Sequence, residues 1–235
     1  MRNRVTPTGD IKAVPLRGAW CGNRGILHRG TDIVRFHASD LWITCALSFK
    51  DWRLPQWEPR HLTLLFFHDE AVSLAAGHRP CALCRRSAYD AYRSALPALP
   101  ALPALPANCG KVGVNRPLES GSFPQFAGGT AKELNRRLHA ERLHRGTHRR
   151  RLHHLAWQDL PDGAFALYDA VPSLVLGDRL VPWSTAGYGA AIARPTYGDV
   201  DVLTPPTSLA ALRGGYPVQI DRSARHPPSP RIAGN

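Results

Sequence analysis

The sequence predicts an α+β protein made of two small mixed units, and three observations carry that prediction. Segments rich in β-branched and aromatic residues recur through the first 67 positions, as a sheet requires. Two stretches that carry helix caps follow, one in each half of the chain. Between them "LPALPALPALPA" repeats proline at every third position, which forbids a regular helix and favours an extended spacer. The 235 residues therefore divide into an N-terminal unit over 1–96, a Pro-Ala-Leu linker over 97–107, a basic α+β unit over 108–222 and a disordered tail over 223–235.

The elements follow in order. "IKAVPL", "DIVRF", "LWITCALSF" and "LTLLFF" read as strands, separated by turn signals at 22–25, 28–32 and 54–59. Asp69 occupies an N-cap position, Glu70 complements the helix dipole, and Gly77 is the stop of that first helix. Cys81 opens a second helix, running to about Leu96, with Tyr89, Tyr92 and Leu96 at helical spacing. Thr130 and Glu133 form a T-x-x-E capping box that starts a helix through about His144. Its buried stripe is Leu134 and Leu138, with Arg136, His139, Arg142 and Arg145 on the other side. "LHHLAWQDL", "AFALYD" and "PSLVLGDRLVPW" are strands joined by turns at Pro161-Asp162-Gly163 and Gly177-Asp178. "PPTSLAALRGG" is a short helix that Gly214 stops.

Composition narrows the function. Hydrophobic residues make up 43% of the chain, enough for a packed core. No apolar run approaches the roughly 20 residues needed to span a bilayer, and the first residues lack the apolar segment of a signal peptide. A cytoplasmic protein with no membrane partner is expected. In that compartment the five cysteines are thiols or metal ligands rather than disulfides. A formal net charge of +12 points to a polyanion, with DNA first.

Cys81 and Cys84 form a C-x-x-C pair, which fits half of a zinc site, a redox pair or two buried thiols. The redox reading needs a βαβ context that "GHRPC" does not supply. Zinc is favoured, because two sulfurs at this spacing converge on one tetrahedral metal.

Residues 62–86 also carry a wider pattern. Phe66 and Phe67 end a strand, Ala71 lies in the helix, and Ala76, Gly77, Arg79, Pro80, Cys81, Cys84 and Arg85 form A-G-x-R-P-C-x-x-C-R. This stretch resembles the second half of the metal-binding domain of the Ada DNA-repair proteins. The resemblance implies zinc held by four cysteines, a domain that binds the DNA backbone, and a role in DNA repair or its regulation. The family's upstream pair of closely spaced cysteines has no counterpart here. Only Cys21 and Cys45 precede Cys81, with 23 residues between them, so methyl transfer to a cysteine is not carried over.

The family takes its upstream ligands from a turn near a strand, and "GNRGILHRG" is similar to such a turn, with His28 at its end. Strand alternation in "WITCALSF" places Ile43, Cys45, Leu47 and Phe49 together on the interior face. Cys45 and His28 are thus the expected third and fourth ligands, with Cys21, His37 and His78 in reserve. Cys109 is an incidental thiol.

From Asn135 to His154 the chain holds seven arginines and five histidines against one glutamate. Arg79, Arg85, Arg86, Arg136, Arg142, Arg149, Arg150 and Arg151 are the expected contacts to DNA phosphates. Two other readings stay open. In one, the zinc is structural and an enzyme processes a nucleic-acid phosphate through His139, Glu141 and Arg142, although H-E-x-x-H and H-N-H patterns are absent. In the other, a zinc-stapled module docks a protein partner.

Overall fold

Short strands build the first third of the molecule. The structure is a computed structural model that describes residues 3–52, 55–97 and 130–225, and the fold is α+β. The strands are β1 (Arg4–Val5), β2 (Ile11–Lys12), β3 (Trp20–Asn23), β4 (His28–Arg29), β5 (Asp32–Ile33), β6 (Ile43–Cys45), β7 (Leu65–Phe67) and β8 (Arg79–Pro80). Six of them form one sheet in the order β2-β1-β7-β3-β6-β8, while β4 and β5 pair as a separate ribbon. The β1–β7 and β6–β8 pairs are parallel and the others antiparallel. Strand β3 falls partly on "GNRG", where turn residues led to a turn expectation; its close-fitting Gly22 explains the choice. A Cβ there would stand 2.1 Å from the Ile43 carbonyl oxygen, so only glycine lets β3 and β6 approach.

Helix α1 (Glu70–Ala75) is entirely buried. Its N-cap Asp69 accepts from Val72 N at 2.8 Å, and Gly77 ends it with φ +87°. The same carboxylate also accepts from the Tyr188 hydroxyl at 2.8 Å and Asp221 N at 2.9 Å. A helix cap thus doubles as a tie between distant parts of the chain. Helix α2 (Arg86–Ser94) begins five residues later than Cys81, because residues 81–85 form a turn instead. Helix α3 (Ala131–Arg142) has both bonds of the expected capping box but ends at Arg142, where Leu143 turns extended.

The rest is a seven-stranded sheet. It contains β9 (His153–Ala156), β10 (Phe165–Tyr168), β11 (Val171–Leu176), β12 (Arg179–Ser184), β13 (Gly187–Tyr188), β14 (Ile192–Ala193) and β15 (Asp199–Val202). The order is β13-β12-β11-β10-β15-β9, with β14 beside β12. Helix α4 (Pro206–Arg213) closes against α2: a Cβ on Gly214 would stand 2.0 Å from the Ala95 carbonyl oxygen.

The division into two units does not survive in the packing. Leu74, Tyr89 and Tyr92 share one buried cluster with Leu138, Val175, Val202 and Leu212. Ala71, Val72 and Ala75 share another with Phe165, Leu174, Trp183 and Tyr188. Helices α1 and α2 are too short to enclose a core, so they bury their apolar faces against the second sheet. The Pro-Ala-Leu linker from residue 98, and Cys109, lie outside the described residues. The tail expected from 223 is ordered at its start: Asp221 caps a 3-10 turn over Arg222–Ala224, and Ala224 is buried. No helix among the described residues is long and apolar enough to cross a membrane.

Candidate metal centre

Three neighbouring strands bring the cysteines together. Strand β6 runs parallel to β8, with Thr44 opposite Pro80, and Cys81 N donates to Thr44 O at 2.9 Å. The next step along both chains places Cys81 beside Cys45. The turn after Cys81 then returns Cys84 to the same point. The sulfurs of Cys45, Cys81 and Cys84 all lie within 4.8 Å of one another. Thiolates about 2.3 Å from one tetrahedral metal stand roughly 3.8 Å apart, so small side-chain adjustments fit the set to zinc.

The backbone favours sulfur as the acceptor. Leu83 N donates to Cys81 Sγ at 3.4 Å, so an amide that would start a helix serves the thiolate. The hydrogen bond from the Cys45 thiol, opposed by burial and aided by the amides of Cys84 and Leu83, pulls the Cys81 pKa down to about 5. Cys45 is pushed far up by that same bond and by burial. Burial raises the Cys84 thiol, while the Ala46 amide pulls against it. One thiolate thus stands among thiols that resist ionising in turn. A divalent cation relieves that conflict, since it binds all of them as thiolates.

Cys45 joins the site from the face opposite to the one expected. Trp42 and Thr44 are the buried residues of β6 and its approach, at 1% and 0% exposure, whereas Cys45 is half-buried. Thr44 escapes notice in sequence because a buried hydroxyl needs a partner, and Ser73 Oγ supplies one at 2.7 Å.

His28 does not join the cysteines. It is buried, with Nδ1 2.6 Å from Thr63 Oγ1 and Nε2 3.1 Å from Glu58 O. Both ring nitrogens are taken, and the ring packs edge-on against Trp57. The remaining described cysteine, Cys21, stands outside the three-sulfur group but on a neighbouring strand. It pairs directly with Cys45 across β3 and β6, which puts both side chains on one face. Its thiol donates to Ala46 O at 3.1 Å. Burial first, then the charge on Cys84, pushes its pKa up to about 11. Cys21 was legible only as a reserve, since 23 intervening residues conceal a strand pairing.

The expected DNA contacts divide by burial. Arg79, Arg85 and Arg142 are 3%, 9% and 1% exposed, which removes them from any phosphate-binding surface. Arg79 donates to Asn135 Oδ1 and Pro80 O, both at 2.8 Å. Arg85 pairs with Glu70, and Arg142 follows Leu134 and Leu138 at successive i+4 steps, on the buried stripe rather than opposite it. Arg150 donates inward to Ala75 O and Leu203 O. Arg86, Arg136, Arg149 and Arg151 are exposed, with Arg86 held by Asp90 at 2.8 Å.

The structure does not assemble His139, Glu141 and Arg142 into one reacting group. The Glu141 carboxylate accepts from Thr207 N at 2.9 Å and Thr207 Oγ1 at 2.8 Å, at the start of α4. His139 Nδ1 lies 3.1 Å from Arg142 Nη2. Glu141 and Arg142 are committed to tying α3 to other segments, and the His139 bond stays within its own helix. No family model matches the chain, and no curated protein or solved structure does either.

Proposed function

We propose that this chain is a structural-zinc protein that binds the backbone of DNA. The observation that carries the zinc is the convergence of Cys45, Cys81 and Cys84, and Cys21, paired with Cys45 across β3 and β6, is the proposed fourth thiolate. Zinc there fastens β3, β6 and the turn before α2 into one body. The DNA reading is supported by the net charge and by exposed Arg136, Arg145, Arg149 and Arg151 on one stretch of chain. The sequence resemblance to the Ada metal-binding domain points the same way. A part in DNA repair or its regulation rests on that resemblance.

Two measurements test the proposal. Metal analysis should find one zinc per chain, lost in a Cys81→Ser, Cys84→Ser double variant. Gel-shift titration of duplex DNA at two salt concentrations should show binding that weakens steeply as salt rises. Stoichiometric metal in the double variant rejects the site, and the absence of any shift at low salt rejects the DNA partner.

A further inference from the structure

Away from the cysteines, three arginines meet in the interior. Arg24 is 0% exposed; its Nη1 donates to Gly9 O at 2.9 Å and its Nε to His78 Nε2 at 3.2 Å. Arg142 donates to Gly77 O at 2.8 Å and to Asp40 O at 2.7 Å. Arg150 reaches the Ala75 and Leu203 carbonyls. Trp42 carries two of the guanidinium groups over its ring, Arg24 at 3.9 Å and Arg142 at 4.0 Å. Gly77, in a left-handed conformation, makes the approach possible, and Gly9, also left-handed, lies alongside. A Cβ at Gly77 would stand 2.7 Å from Arg142 Cδ and 3.3 Å from Arg150 Nη1. One at Gly9 would stand 3.9 Å from the same Arg150 nitrogen.

Those carbonyl bonds leave much of the donor capacity unused. Arg24 Nη2, Arg142 Nε, and both Nε and Nη1 of Arg150 are out of solvent and have no partner among the described residues. No described carboxylate lies within ion-pair distance of the three arginines: Asp40 offers Arg142 its main-chain carbonyl and acts by charge only from farther off, as Asp10 does on Arg24 and Arg150. Guanidinium groups remain protonated in proteins, so three cations gather here with the carboxylates of Asp10 and Asp40 opposing them from beyond ion-pair distance. Neutral carbonyls and water can fill N–H vacancies, but they cannot offset three charges. An anion does both.

A route leads to it. A cavity of about 760 Å³ is lined by Lys12, Arg35, His37 and His148, by Phe36, and by one carboxylate, Asp10, which Lys12 pairs with at 3.7 Å. Phe36 is part of its wall, and the Arg24 guanidinium lies 4.8 Å from the centre of the same ring. The His37 ring lies 5.1 Å from that of His139, whose Nδ1 meets Arg142. The cavity and the arginine cluster are therefore one side chain apart.

We propose that Arg24, Arg142 and Arg150 bind an oxyanion of the phosphate class, either free phosphate or the terminal phosphate of a small ester whose remainder occupies the cavity beside Phe36. The donor set selects a multiply charged oxyanion over chloride, since it offers several N–H groups to separate oxygens. Duplex DNA is excluded by the burial of the arginines, so this site is separate from the proposed DNA surface and from the zinc.

The test uses the full chain. Thermal unfolding is followed while inorganic phosphate is titrated against potassium chloride of equal ionic strength, with ³¹P line broadening as a second readout. A ligand at a hundredfold excess over its dissociation constant should raise Tm by about 5 °C. Arg150→Gln, which retains an amide for the Ala75 and Leu203 carbonyls, should lose most of that rise. Ribose 5-phosphate run in parallel identifies the source. Equal responses indicate free phosphate; a tenfold tighter ester response that Lys12→Ala weakens indicates an ester in the cavity. If phosphate and ester raise the wild-type Tm no more than the chloride control and leave the ³¹P line sharp, the proposal is wrong, whether or not the variant folds.

Discussion

Arg85 donates to the buried carboxylate of Glu70 at 2.7 Å, joining the residue after the C-x-x-C pair to the first turn of α1. The same carboxylate accepts from the Tyr216 hydroxyl at 2.6 Å and Gln219 N at 3.0 Å. The Arg85 guanidinium lies 3.8 Å over the Trp20 ring, whose Nε1 donates to Gln219 Oε1 at 2.7 Å. A cysteine turn, a strand, a helix and a C-terminal segment thus share one buried ion. The cysteine site is not an appendage on the fold; its flanking residue belongs to the core.

Removing one partner of that pair should be expensive. Arg85→Ala leaves Glu70 buried and short of a cation, a loss expected to cost about 3–5 kcal/mol. An Arg85→Ala, Glu70→Gln double variant should recover part of it, because the uncompensated charge goes with the pair. Urea unfolding midpoints of the wild type, the two single variants and the double variant decide it. Additive losses would show that the ions do not interact.

The fourth metal ligand is the next expectation. Cys21 faces Cys45 across the β3–β6 pairing, so rotation of its side chain off Ala46 O brings a fourth sulfur to the metal. Cobalt in place of zinc reads the donor set directly, since thiolate-to-cobalt charge transfer grows with the number of sulfurs. Cys21→Ser should lower that band by about a quarter, as one of four tetrahedral ligands is changed. His28→Gln should leave the spectrum unchanged and cost stability instead, because it breaks the bonds to Thr63 and Glu58. An altered spectrum in His28→Gln and an unaltered one in Cys21→Ser would reverse the assignment.

Acid should weaken the fold through its buried histidines. His78 is fully buried, and burial, then Arg24, Arg142 and Arg150, hold its pKa well below the ordinary value. His37 is held down to about 4, mainly by burial and next by His139 and His148. Both folded-state values lie below the unfolded one, so the unfolded chain takes up protons first. The histidines' contribution to stability should be level above about pH 6.5 and fall as pH drops from there, by up to about 1.4 kcal/mol per unit for His78. His37 is partly exposed and adds less. Urea unfolding at pH 7.5, 6.5 and 5.5 measures the slope, and His78→Gln should flatten it. A slope unchanged in that variant would assign the acid sensitivity elsewhere.

What could be read from sequence was local chemistry. Asp69, Thr130, Glu133 and Gly77 act within one turn of their own positions, so their capping roles hold in the structure. Cys81 and Cys84 lie within one turn of each other and converge as expected. Pairings between distant segments were not legible. Cys21 meets Cys45 only because β3 and β6 pair, and the two expected units share a core only because short helices need a sheet to cover. Charge misled for another reason. Arg142 follows the Leu134–Leu138 spacing, but an arginine on an apolar stripe reads as misplaced until the carbonyls of Gly77 and Asp40 are seen around it.

That burial sharpens the DNA prediction to particular residues. Arg149 and Arg151 are exposed on either side of inward-pointing Arg150, as alternation along an extended segment requires. Arg136 is exposed on α3. Each phosphate contact contributes about −0.9 to the log–log slope of affinity against salt. Replacing Arg149 and Arg151 by alanine should therefore flatten the slope by about 2 while leaving the metal content unchanged. Adding Arg136→Ala should flatten it by about one more. Arg79→Met serves as the contrast: it lies buried beside Asn135 and the Tyr89 ring, so it should lower stability and leave the salt slope of the folded protein as it was. A slope that responds to Arg79→Met but not to the Arg149, Arg151 pair would remove those two arginines from the DNA surface.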